Sequence, residues 1–130
     1  MGPINPTAEQ VKALVEGSAQ DPVVMVNLLK FRKLAEGEAG TGAVAYARYS
    51  AGFAKLLEAG GGRLLWAGKV DQVFIGEPAE DWDLVAVVEY PSRRGFLELT
   101  SSPEYRKIHE HRTAGLERTI LLACTTQHQG

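Results

Sequence analysis

Two stretches of this chain, Val23 to Leu29 (VVMVNLL) and Leu84 to Tyr90 (LVAVVEY), are apolar at nearly every position and rich in the valines that favour β-strands. Strands of that kind are covered on both faces. A chain of 130 residues with room for only a few helices can cover one face of a sheet and no more. Another body must cover the second face, which points to a partner subunit and to a ligand pocket shared with it or flanked by it.

The order of elements follows from local signals. Thr7 and Gln10 have capping-box spacing, and Val11, Leu14 and Val15 recur at helical intervals, so residues 7–18 are expected to form a short amphipathic helix added to the front of the fold. Asp21 and Pro22 break the chain before a first strand, Val23 to Arg32. Residues 33–42 carry Gly37, Gly40 and Gly42 and few large apolar groups, which predicts a flexible loop, either a plain connector or the lid of a pocket. A helix over Val44 to Ala59 places Tyr46, Tyr49, Phe53, Leu56 and Leu57 on one stripe, and Gly60 to Gly62 end it. The second strand is expected from Arg63 to Ile75 with a bulge at Gly68, hairpinned to a third at Asp83 to Tyr90. A helical turn around Arg94 to Leu99, a second main helix from Pro103 to Glu117 capped by Ser102, and a strand from Thr119 to Thr125 complete the chain.

Without its first helix the order is βαββαβ, an α+β, ferredoxin-like arrangement with a four-stranded antiparallel sheet. Strands 1 and 3 are then central, and right-handed crossovers put both main helices on one face. The bare face would measure about 400 Å² in projection, and its burial would contribute on the order of 10 kcal/mol per subunit before association costs. A face-to-face homodimer is the expected solution.

The length fits a single domain over residues 1–130. With 23 % charged residues and a net charge of −2 there is no basic field to collect nucleic acid. No run approaches the ~18 apolar residues of a membrane span. The N-terminal residues lack the basic start and apolar run of a signal peptide, so a cytoplasmic location is expected. The one cysteine, Cys124, has no internal disulfide partner and reads as a small hydrophobe.

Chemistry-bearing residues are few. Asn27 stands in mid-strand on the side of Met25, Leu29 and Phe31, where an unpaired amide would cost about 1–3 kcal/mol, so it bonds either the protein or a ligand. Asp83 and Glu89 lie six positions apart on one strand, about 20 Å, and cannot act as a close carboxylate pair. Glu89 alone could serve as a general base if burial raised its pKa. Arg112 shares a helical stripe with Tyr105, Ile108 and Leu116, and its partner is either Glu89 or an acid group on a substrate. His109 and His111, two apart on a helix, point about 200° from each other and cannot chelate one metal ion, whereas His109 alone can do acid–base work at a pocket edge. Trp66 and Trp82 suit a pocket wall or a dimer interface. The glycines at 60–62 follow a helix and fit no phosphate-binding loop, and no GxSxG elbow is present.

The segments GGRLLWAG (Gly61 to Gly68), DWDLVAVVEYPSR (Asp81 to Arg93) and SPEYRKIHEHR (Ser102 to Arg112) resemble the bacterial family known as domain of unknown function 1330 over roughly Tyr46 to Thr125. That resemblance implies a dimeric α/β barrel, two ferredoxin-like sheets packed face to face. Cofactor-independent monooxygenases, lactone isomerases, haem peroxidases and ligand-sensing regulatory domains share that superfamily, so the likeness does not choose a chemistry, and haem binding would require a histidine facing an open pocket. The extra helix and the MVNLLKFR segment depart from the family's shorter start. The expected function is a homodimer binding a small, partly apolar organic molecule, with oxygenase or isomerase chemistry that needs no cofactor or metal. The alternative is a non-catalytic sensor or interaction module filled by its own side chains. Candidate catalytic groups are His109 and Glu89, and Asn27, Arg63, Trp66, Tyr46, Tyr105 and Arg112 are the candidate ligand-binding set. A pocket of about 300 Å³ or more separates the two readings.

Overall fold

The elements run α1 (Ala8–Glu16), β1 (Val23–Phe31), α2 (Gly42–Ala59), β2 (Arg63–Lys69), β3 (Leu84–Tyr90), α3 (Arg93–Thr100), α4 (Pro103–Gly115) and β4 (Leu116–Cys124). They are seen in a computed structural model that describes residues 3–17 and 20–129. Local sequence explains where the helices begin. The Thr7 hydroxyl accepts from the Gln10 amide at 3.1 Å while the Thr7 amide donates to Gln10 Oε1 at 2.8 Å, a complete capping box at α1. Gly17 ends α1, and position 18, the expected last residue of this helix, lies outside the described residues. Ser92 caps α3, and Ser102 caps α4 ahead of Pro103.

The strands form one antiparallel sheet in the order β2-β3-β1-β4, so the two most apolar strands are central, as expected. Two details differ from the sequence reading. β2 stops at Lys69 rather than Ile75, because its partner β3 begins only at Leu84 and offers nothing further to bond. A bond from the Val70 amide to the Asp83 carbonyl (3.0 Å) closes the ladder, and residues 70–83 form a loop. The bulge falls at Leu65, between Leu64 and Trp66, and not at Gly68. Gly68 instead lies under the Trp66 ring, where a Cβ would collide with the indole.

The two sheet faces have different fates. Val23, Met25, Val88 and Tyr90 face the helices and pack with Leu57, flanked by Leu14, Phe53, Phe96 and Leu99. On the opposite face the register sets Trp66, Val87, Val26 and Leu122 in one row and Gly68, Val85, Leu28 and Ile120 in the next. No element among the described residues covers these rows. Trp66 is 57 % exposed and Leu122 48 %, which is the deficit anticipated from the strand composition.

The glycine-bearing loop between β1 and α2 is tied along its length. The Glu36 amide donates to the Ala114 carbonyl (3.1 Å), and the Glu38 carboxylate takes bonds from Arg48 of α2 and His111 of α4. Gly42 and Gly115 let the start of α2 and the end of α4 touch backbone to backbone: a Cβ on Gly42 would strike the Arg32 carbonyl and lie 2.7 Å from the Gly115 oxygen.

Candidate functional site

A cavity of about 1070 Å³ opens between the helices and part of their face of the sheet. Its floor follows from the register, which aligns Ala67, Ala86, Asn27 and Leu121 across the four strands. Two alanines in that row leave room where larger side chains would have met the helices. The roof is aromatic. Tyr46 packs against Phe31 (ring centroids 5.4 Å apart) and Tyr49 (5.2 Å), Tyr49 stacks on Phe53 (5.5 Å), and Tyr105 of α4 meets Tyr49 edge-on at 6.0 Å. α2 and α4 come this close because Gly52 gives way to Ile108, whose Cγ2 would lie 2.7 Å from a Cβ there. The segment Pro3 to Thr7, ahead of α1, also borders the cavity.

Polar groups line the walls formed by α2, α4 and the middle of the sheet. Asn27 spends its Nδ2 on the carbonyls of Ala86 (3.2 Å) and Met25 (3.4 Å), and its Oδ1 has no partner among the described residues. The Tyr49 and Tyr105 hydroxyls bond each other at 2.9 Å. Burial pushes the Tyr46 hydroxyl up to about 12, partly offset by the nearby Arg112 cation, so this phenol stays protonated and able to donate. His109 is half-buried beside Tyr105 (5.7 Å between rings), and burial, aided by the Arg112 cation, holds its pKa below the usual histidine value. Its surroundings thus favour the neutral imidazole over the charged one. Arg112 donates to the Ile4 carbonyl at 2.7 Å and so straps the N-terminal segment to the pocket.

The candidate residues divide between the faces of the sheet. Asn27, Tyr46, Tyr105, His109 and Arg112 all line the cavity. Arg63, Trp66 and Glu89 do not, because the register puts them on the uncovered face, with Arg63 Nε 3.0 Å from Glu89 Oε1. Glu89 is thus separated by the sheet from the histidine it was grouped with, and the expected Glu89–Arg112 pair does not form. The register ties Glu89 to the face opposite Asn27, and only the folded sheet shows which of the two faces meets the helices. Tyr49, read only as part of the apolar stripe of its helix, and the segment Pro3 to Pro6, given no role, both belong to the pocket wall. His109 and His111 diverge as their spacing requires: His111 leaves the cavity and places Nδ1 2.9 Å from Glu38 Oε2.

A four-stranded antiparallel sheet in this order, with two crossover helices on one face, defines a ferredoxin-like fold. The sequence profile of the family described as "Domain of unknown function (DUF1330)" matches residues 39–125, and the chain belongs to that family. RPA0582, a protein of unknown function from Rhodopseudomonas palustris, is 33 % identical with a TM-score of 0.93, over 99 % of this chain and 100 % of that one. The N-terminal helix and β1, which precede the family profile, fall within that matched length. A hydroxynitrile lyase from Passiflora edulis is 11 % identical (TM-score 0.61, 85 % of this chain and 98 % of that one). A dimeric protein of unknown function with a ferredoxin-like fold from Bacteroides fragilis is 14 % identical (TM-score 0.54, 83 % and 99 %). These last two are similar in fold alone. No functionally curated protein matches the chain in sequence.

Proposed function

We propose that the protein is a homodimer in which each subunit binds a small, partly apolar organic molecule between its helices and sheet and moves a proton on it without a cofactor. The cavity carries this reading. At about 1070 Å³ it is well above the ~300 Å³ that a drug-sized ligand needs, which speaks against a module filled by its own side chains. Its lining carries an imidazole, a protonated phenol and an amide oxygen. His109 can take a proton from a carbon next to a carbonyl. The electron pair left behind moves onto the carbonyl oxygen, where the Tyr46 hydroxyl can donate to it. Returning the proton to a neighbouring carbon completes an isomerisation, and reaction of the same carbanion with dissolved oxygen begins an oxygenation, so both expected chemistries share this first step.

Dimerisation is supported by the rows of Trp66, Val87, Val26 and Leu122, and by the dimeric relative from Bacteroides fragilis. Native mass spectrometry of freshly purified protein tests both parts. A dimer carrying a defined extra mass that is lost on denaturation is expected, and a monomer would overturn the assembly. The released molecule, incubated with protein in deuterium oxide, should exchange a carbon-bound proton with wild type and not with His109→Gln. Binding without exchange in either protein would make the chain a binding module and remove the catalytic reading.

A further inference from the structure

We infer that the ligand is an organic acid, an apolar molecule whose carboxylate is held by Arg112. This rests on the pocket reading above and extends it to the ligand's charge. The lining of the cavity includes two arginines, Arg106 and Arg112, and the histidine His109, but not one aspartate or glutamate. Arg106 is exposed at the rim, while Arg112 is half-buried one turn beyond His109 on α4. Five lysine and arginine cations among the described residues have a carboxylate partner: Lys30 has Asp81, Arg32 has Glu36, Arg48 has Glu38, Arg63 has Glu89 and Arg118 has Asp81, while Arg93, like Arg112, ends on a backbone carbonyl but lies outside the cavity lining. Arg112 enters no ion pair among the described residues. Its one bond runs to a neutral acceptor, the Ile4 carbonyl.

A guanidinium carries five N–H donors in a planar fork, and one carbonyl uses one of them. Removing such a cation from water without a counter-ion is costly, and a ligand carboxylate supplies the counter-ion together with a two-point bond. A neutral ligand supplies neither. Away from Arg112 much of the lining, Met25, Phe53, Leu57, Val88 and Phe96 among it, is apolar and accepts hydrocarbon. Charge at one end and hydrocarbon along the remainder describe an aliphatic or aromatic monocarboxylate.

The test separates the pocket from its charge preference. The neutral fluorescent dye N-phenyl-1-naphthylamine reports occupancy of the apolar cavity, and octanoate and octanamide, equal in length and different in charge, compete for it. The dye should bind, and octanoate should displace it at a concentration roughly ten-fold lower than octanamide, the scale set by hydrogen bonds to a charged group. Arg112→Gln should erase that difference and Arg112→Lys should keep part of it. Equal displacement by acid and amide in the wild-type protein would overturn the inference and leave the pocket intact. Failure of the dye to bind would overturn the pocket reading and this inference with it. Because the wild-type comparison decides the matter, a poorly folded variant does not blunt it.

Discussion

Tyr49 of α2 and Tyr105 of α4 place their hydroxyl oxygens 2.9 Å apart in the buried seam between the two helices. Each oxygen is the other's partner, so the pair rises or falls together. Tyr49→Phe or Tyr105→Phe leaves one buried hydroxyl unsatisfied and should cost about 1–3 kcal/mol. The double Phe variant strands nothing and should cost less than the sum of the two singles. Urea denaturation of the four proteins gives this cycle directly, and additive losses would show that water has replaced the bond.

Gly42→Ala should destabilise the chain by about 2 kcal/mol or more, since the new methyl meets backbone carbonyls and no flexible side chain can yield to it. Gly37→Ala, at a position with φ of 80° and open space around it, should lose less, mainly from backbone strain. Thermal unfolding should rank the two in that order.

On the bare sheet face, Val87 stands between Trp66 and Val26. Val87→Lys sets a charge at the centre of the proposed interface while leaving the helix side of β3 unchanged. Light scattering coupled to size exclusion should show conversion from dimer to monomer, with far-ultraviolet circular dichroism retained. A dimer that persists would place the interface elsewhere.

His109 gives a pH signature. Its folded pKa lies below that of the unfolded chain, so on acidification the unfolded state takes up the proton first. The contribution to stability is whole above about pH 6.5 and is lost as pH falls toward the folded pKa. Glu38 and Asp81 are also held below the usual carboxylate range, the first by His111 and Arg48 and the second by Lys30, but their loss begins lower, below about pH 4.5. The drop in urea midpoint between pH 7 and pH 5 should therefore be smaller in His109→Gln than in the wild-type protein.

Much of this architecture was legible because each element carries its own chemistry: the Thr7–Gln10 box, the Ser102–Pro103 start of α4 and the all-apolar strands that had to be central. The strand order and the bare face followed from those parts. The site was only half legible. Tyr46, Tyr105, His109 and Arg112 come together because helical stripes can be read by counting. Glu89 and Trp66 could not be assigned to a side, because strands apolar on both faces give no alternation to say which face meets the helices. The bulge at Leu65 was hidden for a related reason: it depends on how β2 slips against β3, and the glycine that seemed to mark it is there to seat an indole. The strap from Arg112 to Ile4 joins residues 108 positions apart and has no local signature at all.

His109 borders not only the inner cavity but also an outer cleft of about 770 Å³ between the β1–α2 loop and α4, shared with Glu38, Glu110 and His111. In the reaction proposed above, an imidazole set in the wall between cavity and cleft hands its proton to water from the side opposite the ligand.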